Sequence, residues 1–441
     1  MSERKLSPGK FALLGFQHVF AMFGATVLVP ALTGLSVSAT LLFVGLGTLL
    51  FHLITKGKVP AFLGSSFAFL GGYAAVKGFV EKTGGGNWVP YAGVGVAVAG
   101  LMYVILSAMF RSFGAKKVMR FFPPIVTGPI IICIGMTLAN SAINNAQSNW
   151  WIALLAVVTV VGANIWGRGM IKIIPILLGV IVSYVAAVVF GQLDPARVQA
   201  FHEASWIGIP FQLSDSVFSL IGNGNGSMIL SSVAMMLPIS LATMVEHIGD
   251  MCAISSTVGQ NYIESPGLHR SLLGDGMATS LAAVFGAPAN TTYGENTGVL
   301  ALTKVYDPKV VRLAAVIAAV FSFSPKFAAL VSMMPTATIG GVSLILYGMI
   351  SAVGVRNVVE NQVDFTKSRN VIIAAMIMSL ALGISFSSAG SIAIELGSIS
   401  IHLSGIAVAA VVGILLNAIL PGNDYEFGKN QQGDTAVNFE V

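Results

Sequence analysis

The chain has 441 residues, of which 55% are hydrophobic and only 9% charged, with a net charge of +5. A soluble domain is about a quarter charged, so these proportions exclude a water-soluble globular protein and leave one that passes repeatedly through a membrane. The positive balance fits basic loops beside a bilayer rather than nucleic-acid binding. Two cysteines, Cys133 and Cys252, both in apolar stretches, exclude a disulfide scaffold.

Residues 1–10 are polar and basic and lead into an apolar stretch that continues past Val29 without a small-residue cleavage site, so no removable signal is expected. Apolar segments then recur at 11–33, 37–55, 61–76, 89–110, 121–140, 150–166, 173–190, 227–252, 271–286, 291–303, 313–325, 329–350, 370–386 and 392–420. Read as membrane spans, some of them short or broken, they make fourteen, and residues 421–441 form a polar tail. With the N-terminus in the cytoplasm, only Lys77, Lys82, Arg197 and Lys326 of the 23 Lys and Arg fall on the outer side. That asymmetry is the one expected of a protein in the cytoplasmic (inner) membrane with both ends inside.

The eighth segment echoes the first. Gln17-His18-Val19-Phe20-Ala21-Met22 aligns with Glu246-His247-Ile248-Gly249-Asp250-Met251. Gly64-Ser65-Ser66 of the third aligns, at nearly the same offset, with Gly294-Glu295-Asn296 of the tenth. Seven spans per repeat is an odd number, so the second repeat must be inverted, an architecture that places substrate near the midplane. The third and tenth segments each open on Pro60 or Pro288, continue extended, and reach a glycine before a helix-compatible run. Each is predicted to be a short strand that breaks into a half-helix, the two strands lying antiparallel, whose open N–H groups cradle carbonyl oxygens or anions. Such breaks survive at membrane depth only when buried in protein or facing a cavity.

Three acidic residues, Glu246, Asp250 and Glu295, stand in these apolar stretches, where a carboxylate costs at least about 2.5–3.5 kcal/mol. Glu246 and Asp250 are four residues apart, on one helix face, so the two resist ionising together and one is suited to carry a proton. The competing reading of each is a buried acid bonded to a neighbouring helix, or, for Glu295, a helix cap. His18 and His247 occupy equivalent places in the two repeats, either as proton relays or as structural hydrogen-bonding groups. Phe67, just past Ser65-Ser66, serves either to stack on a flat ligand or to fill the core. Asn290-Thr291-Thr292 fits a glycosylation pattern but lies at a buried break, and Gly45-x-Gly47 lacks the context of a dinucleotide-binding loop.

The run Glu295-Asn296-Thr297-Gly298-Val299-Leu300-Ala301-Leu302-Thr303-Lys304 resembles the signature of the nucleobase–ascorbate transporter family at every fixed position. That signature has Gln, Glu or Pro, then Asn, any residue, Gly, four residues and Thr. The resemblance extends through Gln17-His18, the stretch from Gly57 to Phe69, Pro266-Gly267-Leu268-His269-Arg270 and Gly340-Gly341-Val342-Ser343-Leu344. It implies an all-α fold of fourteen spans in two inverted repeats. A core domain would comprise 1–112 and 227–326, and a gate domain 113–226 and 327–420. A leading Glu resembles the uracil-type branch, which implies import of uracil or a related nucleobase with protons as the coupling ion, no other cofactor, and a homodimer in lipid. The nucleobase contacts carry over to Phe67, Glu246, Gly294 and Glu295, with Ala25 nearby. Proton coupling falls to Glu246, Asp250, His18 and His247, with a departure at Asp250, where some uracil-type members have His. The rival readings are a purine or xanthine carrier of the same family, a channel lined by the acids, and an intramembrane hydrolase using them as a pair.

Overall fold

Serines and prolines set where the first helices start. In the computed structural model, which describes residues 7–396, 399–423 and 425, Ser7 caps α1 (Pro8–Thr33) and Ser36 caps α2 (Val37–Ile54). Between them Gly34 takes a left-handed φ of 83° and returns its N–H to the carbonyl of Pro30. The chain continues through β1 (Leu63–Ser65), α3 (Leu70–Lys82), α4 (Val89–Phe113), α5 (Ala115–Met119), α6 (Pro124–Ala146), α7 (Trp150–Trp166), α8 (Met170–Ile173), α9 (Pro175–Val189) and α10 (Pro195–Glu203). Then come α11 (Gly226–Met236), α12 (Ile239–Val258), α13 (Leu268–Val284), β2 (Asn290–Thr292), α14 (Gly294–Thr303), α15 (Pro308–Phe321), α16 (Pro325–Ser332), α17 (Thr336–Glu360) and α18 (Ser368–Ser385). The hairpin β3 (Ser391–Leu396) and β4 (Ile399–Ser404) leads into α19 (Gly405–Ile419).

Among the described residues, seven helices are long and apolar enough to cross a membrane, counting α11 and α12 as one run of 33 residues. An eighth is added if α15 and α16, bent by 91°, make a single span. Helices α7, α9 and α19 are apolar but shorter. The protein is therefore a multi-pass, all-helical membrane protein with two small antiparallel strand pairs.

Two sets of helices pack among themselves. In one, α13 runs along α4 and α2, and α15 along α2 and α1; in the other, α6 runs along α17 and α18, and α7 along α9 and α17. Glycines permit the closest approach: a Cβ on Gly100 or Gly276 would stand 2.7 or 2.6 Å from the other's carbonyl oxygen, so α4 and α13 touch backbone to backbone.

The first strand pair joins distant parts of the chain, with Leu63 opposite Thr292, Gly64 opposite Thr291 and Ser65 opposite Asn290. Bonds from Ser66 N to Ala289 O and from Tyr293 N to Phe62 O extend it at both ends. The hydroxyl of Thr48 on α2 accepts from Leu63 N at 3.0 Å and donates to Leu63 O at 3.2 Å. All six paired residues are buried, so their backbone groups must be satisfied within the protein, and this ladder does so.

Three predicted segments differ from what folds. The stretch 392–420 is not one span: residues 391–404 form the β3–β4 hairpin and only Gly405–Ile419 is helical. The eighth segment breaks at Leu237–Pro238, where proline interrupts the hydrogen-bond ladder, and runs on to Val258. The segment 329–350 begins inside α16, turns at Met333–Pro335 and extends as α17 to Glu360. Most of the expected tail, 421–441, lies outside the described residues.

Candidate functional site

A cavity of about 550 Å³ lies between the two sets of helices. One wall is built from α12, the β1–α3 connection and the start of α14; the other comes from α6, α9 and α17. Helix periodicity puts Glu246 and Asp250 on the cavity side of α12, one turn apart. Phe67, between β1 and α3, reaches the cavity and meets the ring of Tyr347 edge-on, with centroids 5.9 Å apart. Gly294, the first residue of α14, also lines the cavity. That helix starts without a side-chain cap, which leaves its first N–H groups directed at whatever occupies the space before it.

Asp250 is held from the strand side: Thr292 Oγ1 donates to its Oδ2 at 2.8 Å. Tyr293 is fixed by a bond from its hydroxyl to Ser65 O at 2.9 Å. Facing these polar groups, Ile131 of α6, Ile176 and Leu177 of α9 and Leu346 and Ile350 of α17 present an apolar surface. The cavity therefore has two carboxyl groups and the start of a helix on one side and aliphatic side chains on the other. The mouth is polar, with Lys172, Asn357 and the bonded pair Arg356–Glu360.

Not every residue singled out in the sequence reaches this wall. The cavity side of α1 shows Phe20 and Ala21, whereas Ala25, one turn on, is enclosed in the core. His18 is buried behind the wall, where Asn296 Nδ2 lies 3.1 Å from its Nδ1 and donates to its carbonyl oxygen. His247 points away from the cavity, its Nδ1 3.1 Å from Oδ2 of Asp275, both side chains having no exposure. Glu295 is the second residue of α14; its side chain lies outside the described residues. Phe67, Glu246, Asp250 and Gly294 thus come together, and Ala25, His18 and His247 stand behind them.

Asp275, Thr292 and Tyr347 were not among the sequence candidates. Asp275 obeys the rule that singled out Glu246, since it too is an acid inside an apolar segment, 271–286. Thr292 and Tyr347 carry no comparable signal, because their importance lies in which partner the fold brings to them.

A family model described as a permease family, Xan_ur_permease, matches residues 9–390. The chain belongs to this family. It is a permease, not an enzyme. Among its relatives are the uracil permease of Bacillus caldolyticus, 41% identical over 94% of this chain and 93% of the other, and the uracil permease of Bacillus subtilis (strain 168), 39% identical over the full length of both. Among solved structures, the transmembrane domain of the cyanobacterial bicarbonate transporter BicA has the same fold, with a TM-score of 0.56 at 14% identity, covering 95% of this permease and 98% of that domain.

Proposed function

We propose that this permease imports uracil in symport with protons, the nucleobase binding in the cavity between α12, α14 and α17. The observation that carries the reading is the pair of carboxyls, Glu246 and Asp250, on the polar wall of a cavity otherwise lined mainly by apolar side chains. The names of relatives about 40% identical over nearly the whole chain direct the choice of nucleobase. Uracil is planar and neutral, with ring N–H donors beside carbonyl acceptors. Glu246 accepts from a ring N–H, the opening N–H groups of α14 donate to a carbonyl, and Phe67 covers the ring face. A nucleobase that leaves one of these buried groups without a partner loses about 1–3 kcal/mol, which sets the selectivity.

In this reading the chain has fourteen spans in two inverted repeats, with both ends in the cytoplasm. The antiparallel pairing of β1 with β2, each leading into a short helix, supports the inversion. The set containing α1–α4 and α11–α15 is the core and the set containing α6–α9 and α17–α19 the gate; movement of one against the other exposes the cavity to either side. The working unit is a homodimer in lipid. Uptake of labelled uracil into proteoliposomes under an imposed proton gradient tests the reading. Wild type is expected to accumulate it and to lose accumulation with a protonophore, and Glu246→Ala is expected to abolish it. Full uptake by Glu246→Ala, or stronger competition by xanthine than by unlabelled uracil, would overturn the assignment.

A further inference from the structure

A carboxyl that gains and loses a proton needs a neighbour that suits both forms. A carboxylate only accepts hydrogen bonds, whereas the acid also donates, so a fixed N–H partner can bond an acceptor oxygen of either form but cannot take the acid's O–H. A hydroxyl serves both, donating to the carboxylate and, after rotation, accepting from the acid.

Asp250 has such a neighbour in Thr292, whose hydroxyl lies 2.8 Å from Oδ2. The two residues sit on different elements, α12 and β2, and both line the cavity. Thr292 is fixed in place, with its backbone paired opposite Leu63 and only 2% of its surface exposed. Its hydroxyl is used unlike those of several threonines in or at the ends of helices, though Thr48 and Thr279 also reach another element. Thr33, Thr55, Thr159 and Thr303 each donate to the carbonyl four residues earlier on their own helix. Thr292 donates instead to an acid 42 residues away in sequence.

We propose that Thr292 is a positioning residue of the transport site, keeping Asp250 against β2 in both its ionised and its protonated form. The inference rests on the reading of the cavity as a proton-coupled nucleobase site. Its consequence is that α12 stays joined to the strand pair while the proton comes and goes. Protonation then changes the charge of the wall without releasing the helix that carries it. Other titratable groups share this region: Glu246 one turn back on α12, Tyr103 of α4 within electrostatic reach of Asp250, and the His247–Asp275 pair behind the helix. A test must therefore separate Asp250 from them.

The test compares wild type, Thr292→Val, Thr292→Ser, Asp250→Asn and the Thr292→Val/Asp250→Asn double variant, all full-length in proteoliposomes, by proton-driven uracil uptake across a range of external pH. Thr292→Val, which keeps the shape and loses the hydroxyl, is expected to lower uptake by roughly tenfold and to change its pH profile. Thr292→Ser restores both, and Thr292→Val adds no further loss to Asp250→Asn. A wild-type rate and profile in Thr292→Val, or an undiminished penalty in the Asp250→Asn background, would overturn the proposal; Thr292→Ala is read in the same way should Thr292→Val not assemble. The pH dependence of the thermal unfolding midpoint of the purified variants needs no substrate. If wild type accumulates no uracil the transport reading fails, yet the midpoints still decide Thr292: it stands if Thr292→Val alters the dependence only when Asp250 is present, and falls otherwise.

Discussion

Gly64 shows how much a single missing side chain can determine. A Cβ there would stand 2.1 Å from the Tyr293 ring, and that ring cannot swing aside because its hydroxyl is bonded to Ser65 O. Gly64→Ala is therefore expected to lower stability by about 1–3 kcal/mol, the usual cost of overpacking, seen as a lower melting midpoint of the purified protein. An unchanged midpoint would mean that the strand pair yields. The buried pair His247–Asp275 makes a different prediction. Removing one member leaves the other buried without its partner, which costs about 3–5 kcal/mol, while replacing both with apolar groups of similar size is often tolerated. Asp275→Leu should thus destabilise strongly, and His247→Leu added to it should restore part of the loss in the same melting assay. A double variant no more stable than Asp275→Leu would show that the pair is not the source.

At the scale of elements, legibility followed the strength of local signals. The broken third and tenth segments could be read because proline and glycine punctuate each of them, and the strands form where those residues stop a helix, at Leu63–Ser65 and Asn290–Thr292. The β3–β4 hairpin was hidden by its own hydrophobicity. Ser391-Ile392-Ala393-Ile394-Glu395-Leu396 alternates small or polar with aliphatic residues, as a strand does, but it stands close before an apolar helix and so reads as the start of the same span. The cavity was legible only in part, since an intramembrane acid stands out by cost whereas Thr292 and Tyr347 are ordinary residues until folding supplies their partners. Thr48 is a further case: one hydroxyl satisfies both backbone groups of Leu63 across 15 residues of sequence. Thr48→Val leaves two buried backbone groups without that partner, at about 1–3 kcal/mol each. Hydrogen exchange of the peptide covering 61–66 should then accelerate by at least roughly tenfold. Exchange at the wild-type rate would show that β2 alone holds the strand.

For the whole molecule, the decisive geometry is a cavity bounded on one side by α12 and α14 and on the other by α6, α9 and α17. A space between two separately packed sets of helices is one that their relative movement can open or close, which a pocket inside either set is not. Its mouth carries Lys172 and Arg356, which the proposed topology, with both ends inside, puts on the cytoplasmic side, so under that proposal access should be one-sided in the conformation described. Cys252 gives a way to measure this, because it lines the cavity and is partly exposed, whereas Cys133 is fully buried. A membrane-impermeant maleimide added to inside-out vesicles should label Cys252, and Cys252→Ser should remove the signal. The same reagent should label right-side-out vesicles far more slowly, since it would have to wait for the helix sets to rearrange. Saturating uracil should slow labelling in inside-out vesicles, because the ligand and the reagent compete for one space. Equal labelling from both sides would instead describe a continuous pore, and the two sets of helices would then be walls of a channel rather than parts that move.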